Sequence, residues 1–280
     1  MANETLYTAL VDLKRYLVYT DEPSVDDAQL MRAVNRAQAR LAREMYATNE
    51  GAFAYNYNFD IDSSASYVLP PRIRKIQYVE YQGASGEGWY TVKPANIRDR
   101  DGYSSETDLL TTGTIRIFYT RYLPDLAYGT VAGLSATTLT LPATAAYGTI
   151  SRIDDYYNGA WVEIVSGTGS WAERRITDYV GSTRVATVAA WDTNPDTSSI
   201  FNIKCELPVD FIYSGLISGA ASWLTRDKEA RQDFDEDIDQ IKRFSSIEGQ
   251  TVSSLKPYEV DYSPNKHWYV RGNRIYLFAS

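Results

Sequence analysis

The sequence predicts an α+β protein in which helices from both ends of the chain form one bundle. Residues 1–50 and 204–250 carry apolar residues at helical spacing, whereas the stretch between them shows strand alternation and frequent turns. Neither helical run can bury its apolar stripe alone, so each requires the other. The β region is therefore predicted to be inserted between the two parts of a helical core.

The same patterns divide the chain into four parts. We expect a helical core from 1–50 and 204–250, an antiparallel β region over 51–128, an inserted small β-barrel or sandwich domain over 129–203, and an extended aromatic C-terminal arm over 251–280. A chain of 280 residues with 44% hydrophobic content can bury one substantial core or two modest ones.

Two N-terminal helices are predicted. Asn3 caps the first, and a capping box of Ser24 and Asp27 starts the second, which runs to about Ala47. Four arginines lie on the outer faces of the second helix and either are solvated or pair with acids of the last helix or of a neighbouring subunit: Arg32, Arg36, Arg40 and Arg43. The inward residues repeat at three- and four-residue spacing: Leu6, Leu10, Leu13 and Leu17, then Leu30, Val34, Ala37, Leu41 and Met45.

The hydrophobic period changes to two from Phe53 onward. Residues 53–60 alternate aromatic and polar side chains, which predicts a strand with one aromatic face. Pro70 and Pro71 fit only an edge or a connection. Further strands are predicted at Tyr67–Leu69, Ile73–Tyr81, Tyr90–Val92 and Thr114–Tyr122, and in the inserted domain at Thr138–Leu141, Ala160–Ser166, Glu173–Tyr179, Thr183–Val188 and Ile200–Ile203.

The C-terminal helical run, Leu207–Glu248, is rich in small residues in its first half. They predict close packing, either within the chain or between subunits: Gly215, Ser218, Gly219 and Ser222. Ile212, Leu216 and Trp223 share the inward face of this half. Thr225 is predicted to cap a second helix with Ala230, Phe234, Ile238, Ile241 and Ser245 inward. Its outer face is acidic: Asp233, Asp235, Glu236, Asp237 and Asp239.

The C-terminal arm is aromatic, and Arg271-Gly272-Asn273 predicts a hairpin within it. A lone hairpin is marginally stable in water, so it docks on its own domain or on a partner. We expect a subunit lacking residues 256–280 to fold but to lose docking.

Charge and composition exclude several classes of protein. The net charge of −8 and pI near 4.8 argue against a protein that grips phosphates. The N-terminal residues do not resemble a signal peptide, and no run of 18 apolar residues occurs, so we expect neither secretion nor a membrane span. The single cysteine excludes an internal disulfide and fits a reducing compartment.

Catalytic and metal-binding motifs are not evident. His267 is the only histidine and Cys205 the only cysteine, which leaves little for a triad or a Cys/His metal site. The acidic run at 235–239 lacks the glycine of a calcium loop, and Gly167-Thr168-Gly169 lacks the lysine of a phosphate loop. We expect no enzyme activity, no cofactor and no metal.

The order of elements resembles the head-to-tail adaptor proteins of tailed bacteriophages, also called connector or head completion proteins. The shared features are two N-terminal helices, an inserted β region, two C-terminal helices and an extended tail. Residues 157–164, 167–169, 174–179 and 190–199 also resemble a β module recurrent in phage structural proteins. This module covers about a quarter of the chain.

The resemblance implies a homo-oligomeric ring, usually of twelve subunits, at the head–tail junction of a virion made in the host cytoplasm. Such a ring docks under the portal protein, extends the channel through which genomic DNA is ejected without specific binding, and offers a platform to a tail or nozzle protein. Our candidates for portal docking are Tyr258, Tyr262, Trp268, Tyr269, Tyr276 and Phe278. Those for an acidic channel or surface are Asp233, Asp235, Glu236, Asp237 and Asp239. Those for subunit packing are Gly215, Ser218, Gly219, Ser222, Arg36 and Arg40.

A second hypothesis is a carbohydrate- or receptor-binding module of a phage tail or tail-fibre protein. Trp161, Trp171 and Trp191 of the inserted domain would then stack on sugar rings. Against this, we expect at least two of the three to lie in the core. A hydrolase is a distant third hypothesis.

Overall fold

The structure, a computed structural model, confirms the α+β class. It describes residues 6–19, 25–62, 64, 66–84, 88–95, 110, 112–212, 214–225, 227–253, 262–271 and 273–279. The chain divides into two compact units: unit 1 is Met1–Ala52 with Tyr122–Thr251, and unit 2 is Phe53–Arg121 with Val252–Ser280. Each unit contains one curled, seven-stranded half-barrel sheet.

The helices are α1 (Leu6–Tyr19), α2 (Asp27–Thr48), the short turn α3 (Val209–Ile212), α4 (Ser214–Thr225) and α5 (Lys228–Ser253). The strands of the first half of the chain are β1 (Ala54–Asp60), β2 (Tyr67–Val68), β3 (Ile73–Gln82), β4 (Tyr90–Pro94), β5 (Thr114–Arg121), β6 (Tyr128–Thr130), β7 (Gly133–Leu134) and β8 (Thr138–Thr140). The remaining strands are β9 (Trp161–Ser166), β10 (Glu173–Val180), β11 (Val185–Val188), β12 (Ile200–Ile203), β13 (Tyr262–Arg271) and β14 (Arg274–Ala279).

The N-terminal and C-terminal helix pairs pack together in unit 1, as predicted. Both predicted stripes of α1 and α2 are buried, and Ala230, Ile238 and Ile241 of α5 are buried with them. Ser245 and Asn3 lie outside the residues whose side chains are described. The helical periodicity therefore identified the faces on which the two ends of the chain meet.

Two helix starts differ from the predictions. Asp26, not Ser24, caps α2: its carboxylate accepts from the N–H of Gln29 at 2.6 Å, and the Gln29 side chain accepts from the Asp26 N–H at 3.2 Å. A glutamine reaches back to the cap more easily than an aspartate. At α5 the cap is Asp227, whose carboxylate accepts from the Glu229 N–H, while Thr225 ends α4.

The two glycines of α4 allow close approach within the chain. A Cβ added to Gly215 would lie 2.7 Å from Cδ1 of Leu41, and one added to Gly219 would lie 2.7 Å from Cβ of Ala37. The chain's own helices therefore cover both glycines, so the structure shows the first of the two predicted alternatives, close packing within the chain. Trp223, predicted to face inward, is 45% exposed.

The sheet of unit 1 has the order β6-β12-β9-β10-β11-β8-β7, and all neighbouring strands are antiparallel. All five strands predicted in the inserted domain are present, but β6 and β7 were not predicted. Its core includes Val162, Ile164, Tyr157, Tyr179 and Phe201, each with negligible exposure. The large aromatic rings fill the space enclosed by the curled sheet.

The half-barrel of unit 1 contacts the helices of the same unit. The ring of Tyr7 stacks on that of Tyr128 at 5.2 Å, and Lys14 Nζ donates to the Tyr147 hydroxyl at 3.0 Å. Nearby, the Gln38 side chain donates to the carbonyl of Pro124 at 2.9 Å. Polar groups on α1 and α2 thus anchor the strands on which the inserted region begins.

The sheet of unit 2 has the order β1-β5-β3-β4-β13-β14-β2. Its β1 alternates exposed polar and half-buried aromatic residues, as predicted. β13 and β14 pair as the two strands of the predicted C-terminal hairpin, and they lie inside the sheet between β4 and β2. The pairs formed among the strands of 51–128 are antiparallel, as predicted, whereas β13 of the C-terminal hairpin runs parallel to β4.

The C-terminal hairpin supplies part of the core of unit 2. Ile275 and Leu277 are 0% and 3% exposed and pack with Val79, Val92 and Ile117. This burial argues against the prediction that a subunit lacking residues 256–280 folds normally. Within the described parts of the chain, no helix is both long and apolar enough to cross a membrane.

Candidate interaction surfaces

One exposed face of unit 1 is basic. Arg32, Arg36 and Arg40 follow one another at four-residue spacing on α2, which places them along one side of the helix, and all three are exposed. The Arg36 guanidinium lies 4.8 Å above the ring of Trp223 on α4. We call these four residues the basic ridge. Arg43 is also exposed.

The sequence left open whether the arginines of α2 are solvated or pair with acids of the last helix or of a neighbouring subunit, and ion pairs at one end of the ridge bear on this. Arg40 pairs with Glu44 of its own helix at 3.1 Å, and Lys242 of α5 approaches the same carboxylate at 3.8 Å. One carboxylate thus links α2 and α5 through a lysine. The two cations are 45% and 42% exposed, so solvent screens both pairs and they contribute little to stability, although Glu44 is only 15% exposed.

A groove between α1, α4 and α5 forms the second surface. Its volume is about 530 Å³, and it is open to solvent along one side. Tyr16, Ile217 and Ala221 form an apolar wall with Ala230. The rest of its lining is polar: Ser214, Ser218, Gln240 and three carboxylates of α5, Asp233, Glu236 and Asp237. We call this the acidic groove.

Asp237 departs from the predicted outer face of α5. It is only 7% exposed, and its carboxylate accepts hydrogen bonds from the Ser214 and Ser218 hydroxyls, each at 2.9 Å. The serines compensate the loss of water around this group. The other predicted acids are exposed as expected: Asp233, Asp235, Glu236 and Asp239.

The remaining small residues of α4 have contacts inside unit 1. The Ser218 hydroxyl donates to the Asp237 carboxylate, and the Ser222 hydroxyl donates to the carbonyl of Gly219 at 2.9 Å. Of the six residues predicted to pack subunits together, Arg36 and Arg40 lie on an exposed face and Ser218 lines the acidic groove.

A short hydrogen bond fixes α1 to the beginning of α5 beside the groove. The Tyr16 hydroxyl donates to the Asp227 carboxylate at 2.6 Å. This bond raises the pKa of Tyr16 to about 12 and lowers the pKa of Asp227 below its ordinary value. The phenol therefore stays protonated and the carboxylate ionised through the neutral pH range.

The predicted portal-docking residues divide between the two faces of the C-terminal hairpin. Trp268 packs on the core of unit 2, and its indole N–H donates to the carbonyl of Val92 at 3.0 Å. Tyr269 and Tyr276 are half-buried and stack at 4.7 Å. Tyr258 lies outside the described residues, as do the side chains of Tyr262 and Phe278.

Sequence reasoning missed an aromatic array on the sheet of unit 2. The Arg116 guanidinium lies 3.9 Å from the centre of the Trp89 ring and 3.4 Å from Glu80. Next to it, Tyr78 stacks on Phe118 at 4.3 Å. Strand alternation in β5 is enough to place Arg116 and Phe118 on one face. The array could not be predicted because the sequence does not show that β3 pairs with β5 and brings Glu80 and Tyr78 opposite them.

The three tryptophans of the inserted region differ in burial. Trp191 is 6% exposed, Trp161 is half-buried and Trp171 is 60% exposed. The expectation that at least two belong to the core was wrong. Trp171 has a left-handed backbone with φ 71°, and its N–H donates to the carbonyl of Ile164 at 2.7 Å. This turn directs its ring outward.

Two comparisons with known proteins returned no match. No model of a protein family matches it, and no curated protein matches it. Its function must be argued from the surfaces described above and from the resemblance in the sequence.

The residues considered for catalysis lie in different units. Cys205 in unit 1 is buried, and burial raises the pKa of its thiol to about 12, so it is a protonated, weakly reactive group. His267 in unit 2 is 8% exposed, and burial together with Lys93 lowers its pKa. Among the described residues, no three His, Cys, Asp or Glu side chains group as a metal site requires.

Proposed function

We propose that this chain is a virion structural protein, a ring-forming head-to-tail adaptor that docks under the portal, extends the DNA channel and supports tail attachment. The observation that carries the proposal is the packing of the N-terminal helix pair against the C-terminal pair, with the β strands between them in sequence. This is the order of elements on which the resemblance to phage adaptors rests.

The charge of the chain is compatible with a channel for DNA. A channel wall has to release DNA, and carboxylates repel phosphates, whereas a basic wall would hold them. The net charge is −8, and Asp235 and Asp239 are exposed on α5 outside the acidic groove, where they remain available to a channel wall. In this proposal genomic DNA passes the ring without specific binding.

A ring also requires two different complementary faces on each subunit. The basic ridge and the acidic groove are two such faces on unit 1. We further propose that the half-barrel over 129–203 is the β module recurrent in phage structural proteins. The stacked pair Tyr269 and Tyr276 is the candidate that this proposal keeps for docking on the portal.

Imaging of the purified chain with the portal protein of the same virus by electron microscopy tests the proposal. We expect a ring coaxial with the portal, and we expect Tyr269→Ala with Tyr276→Ala to weaken docking while the ring persists. Tyr90→Ala, which changes an exposed tyrosine of unit 2 outside this stacked pair, is the matched control. A portal that remains bare at high concentrations of the chain would reject the adaptor function.

The exposed ring of Trp171 favours the second candidate, a carbohydrate- or receptor-binding module. The burial of Trp191 means that the three tryptophans do not form one platform, so any sugar contact would centre on Trp171. Binding to a glycan array that is lost in Trp171→Ala and kept in Trp223→Ala would support this candidate over the adaptor. We expect no such binding.

A further inference from the structure

We propose that the acidic groove of one subunit receives the basic ridge of a second copy, so that copies of this chain associate head to tail. The contact rests on the proposed function for its role, because it would be the subunit contact of the ring. The surfaces themselves lie within unit 1 and consist of described residues.

The basic ridge has the composition of an interface hot spot. Trp223 is 45% exposed on a helix that otherwise buries Leu216 and Ala220, and a guanidinium covers one face of its ring. Trp and Arg together dominate the binding energy of many interfaces when a partner removes them from water. Arg32 and Arg40 extend the positive charge on either side of Arg36.

The acidic groove is complementary to this ridge in shape and in charge. Its volume of about 530 Å³ lies in the range of about 300–1,000 Å³ typical of ligand pockets, which is ample for an indole ring. Ile217, Ala221 and Ala230 offer an apolar wall for the ring. Asp233 and Glu236 then face the arginines that flank it.

The geometry of α4 excludes a subunit from filling its own groove. Successive residues of a helix turn by about 100°, so Trp223 is rotated by roughly 200° from Ala221 and by roughly 140° from Ser218, both of which line the groove. Ridge and groove therefore lie on opposite sides of α4. When a second copy fills the groove, that copy's own groove stays open to a third, which is a heterologous contact.

Two complementary variants test this arrangement by sedimentation velocity over a range of concentrations. Trp223→Ala removes the tryptophan of the ridge and leaves the groove intact. Glu236→Arg reverses one charge of the groove and leaves the ridge intact. We expect each variant alone to remain monomeric where the wild type assembles. Their equimolar mixture should form a one-to-one dimer and nothing larger, because only one intact ridge and one intact groove can meet.

Matched controls use the same substitutions away from the two surfaces. Trp171→Ala removes the exposed tryptophan of the half-barrel, and Asp235→Arg reverses an exposed charge on α5 that does not line the groove. Both should assemble like the wild type. Circular dichroism and thermal melting verify that each variant is folded.

Several outcomes would overturn the proposal. A wild type that stays monomeric at every concentration up to its solubility limit would do so, as would variants that assemble normally or a mixture that forms no dimer. Binding of duplex DNA that is lost in Trp223→Ala would instead make the ridge a nucleic-acid surface. The portal experiment distinguishes the two proposals. A chain that self-associates but does not bind the portal would reject the adaptor function alone. A portal-bound ring that both variants still form would reject this subunit contact alone.

Discussion

Gly219 of α4 lies directly against the ring of Phe234 of α5. A methyl group added at Gly219 would stand 2.6 Å from Cε2 of that ring and 2.7 Å from Cβ of Ala37 on α2. Helices from both ends of the chain therefore meet at one position that has no side chain. The association of the chain ends depends on how closely these three helices approach each other.

Gly219→Ala should lower the free energy of unfolding by about 1–3 kcal/mol, the usual cost of forcing extra volume into a packed core. This loss should appear even though alanine favours a helix over glycine by about 1 kcal/mol. The Cβ of Ala37 cannot rotate away, so the helices must separate. Urea unfolding monitored by circular dichroism measures the change.

Two further alanine variants calibrate this result. Gly215→Ala should cost less, because the nearest atom is Cδ1 at the flexible end of Leu41, and Gly88→Ala should be near neutral, because nothing lies within 4 Å of the added group. Equal stabilities for all three variants would mean that the helices are not in close contact at Gly219.

Ser218→Ala should destabilise the protein by about 1–3 kcal/mol. The substitution removes one of the two hydroxyl donors to the buried Asp237 carboxylate, and an ionised group with an unsatisfied lone pair in the interior is costly. Ser222→Ala on the same helix is the control, because Ser222 bonds only to a carbonyl one turn away. Similar losses in both variants would contradict a specific role for Ser218.

Features that depend on local periodicity could be predicted from the sequence alone. The stripes of α1 and α2 and the alternation of β1 repeat over many residues, so each predicted which face is buried. The burial of Asp237 could not be predicted in this way. It depends on two serines from another helix, 19 and 23 residues earlier in the chain.

The parallel pairing of β13 with β4 was also beyond local reasoning. Tyr262 aligns with Thr91, and a partner so distant in sequence leaves no turn residues between the two strands as a signal. The strands β6 and β7 have only three and two residues, too few for an alternation to be recognised. Among the interaction surfaces, the exposure of the arginines of the basic ridge and of most acids of α5 was predicted. The exposure of Trp223 and the groove between helices were not.

Ile275→Ala should destabilise unit 2 by about 2–5 kcal/mol, as is usual when a fully buried aliphatic side chain is truncated. Tyr276→Ala alters the neighbouring residue of β14, which is half-buried, and should cost less. Removal of the hairpin altogether should unfold unit 2, which hydrogen exchange of β3 and β5 would detect. Protection of these strands in the truncated chain would contradict a structural role for the hairpin.

The loop around Asp196 should make the stability of unit 1 depend on pH in the acid range. Its carboxylate accepts hydrogen bonds from the hydroxyls of Ser198 and Thr168 and from the Ser198 N–H. These bonds lower the pKa of Asp196 from its ordinary value of 3.8 to about 2.

A carboxyl group whose pKa is lower in the folded state favours folding when it is ionised. The contribution of Asp196 is therefore complete above about pH 4 and declines as the pH falls from 4 towards 2. Asp196→Asn should remove this dependence, so its midpoint of urea unfolding should vary less between pH 4 and pH 2 than that of the wild type. Asp235→Asn, an exposed acid of α5, should retain the dependence of the wild type. Parallel curves for the wild type and Asp196→Asn would show that these hydrogen bonds do not stabilise the ionised carboxylate.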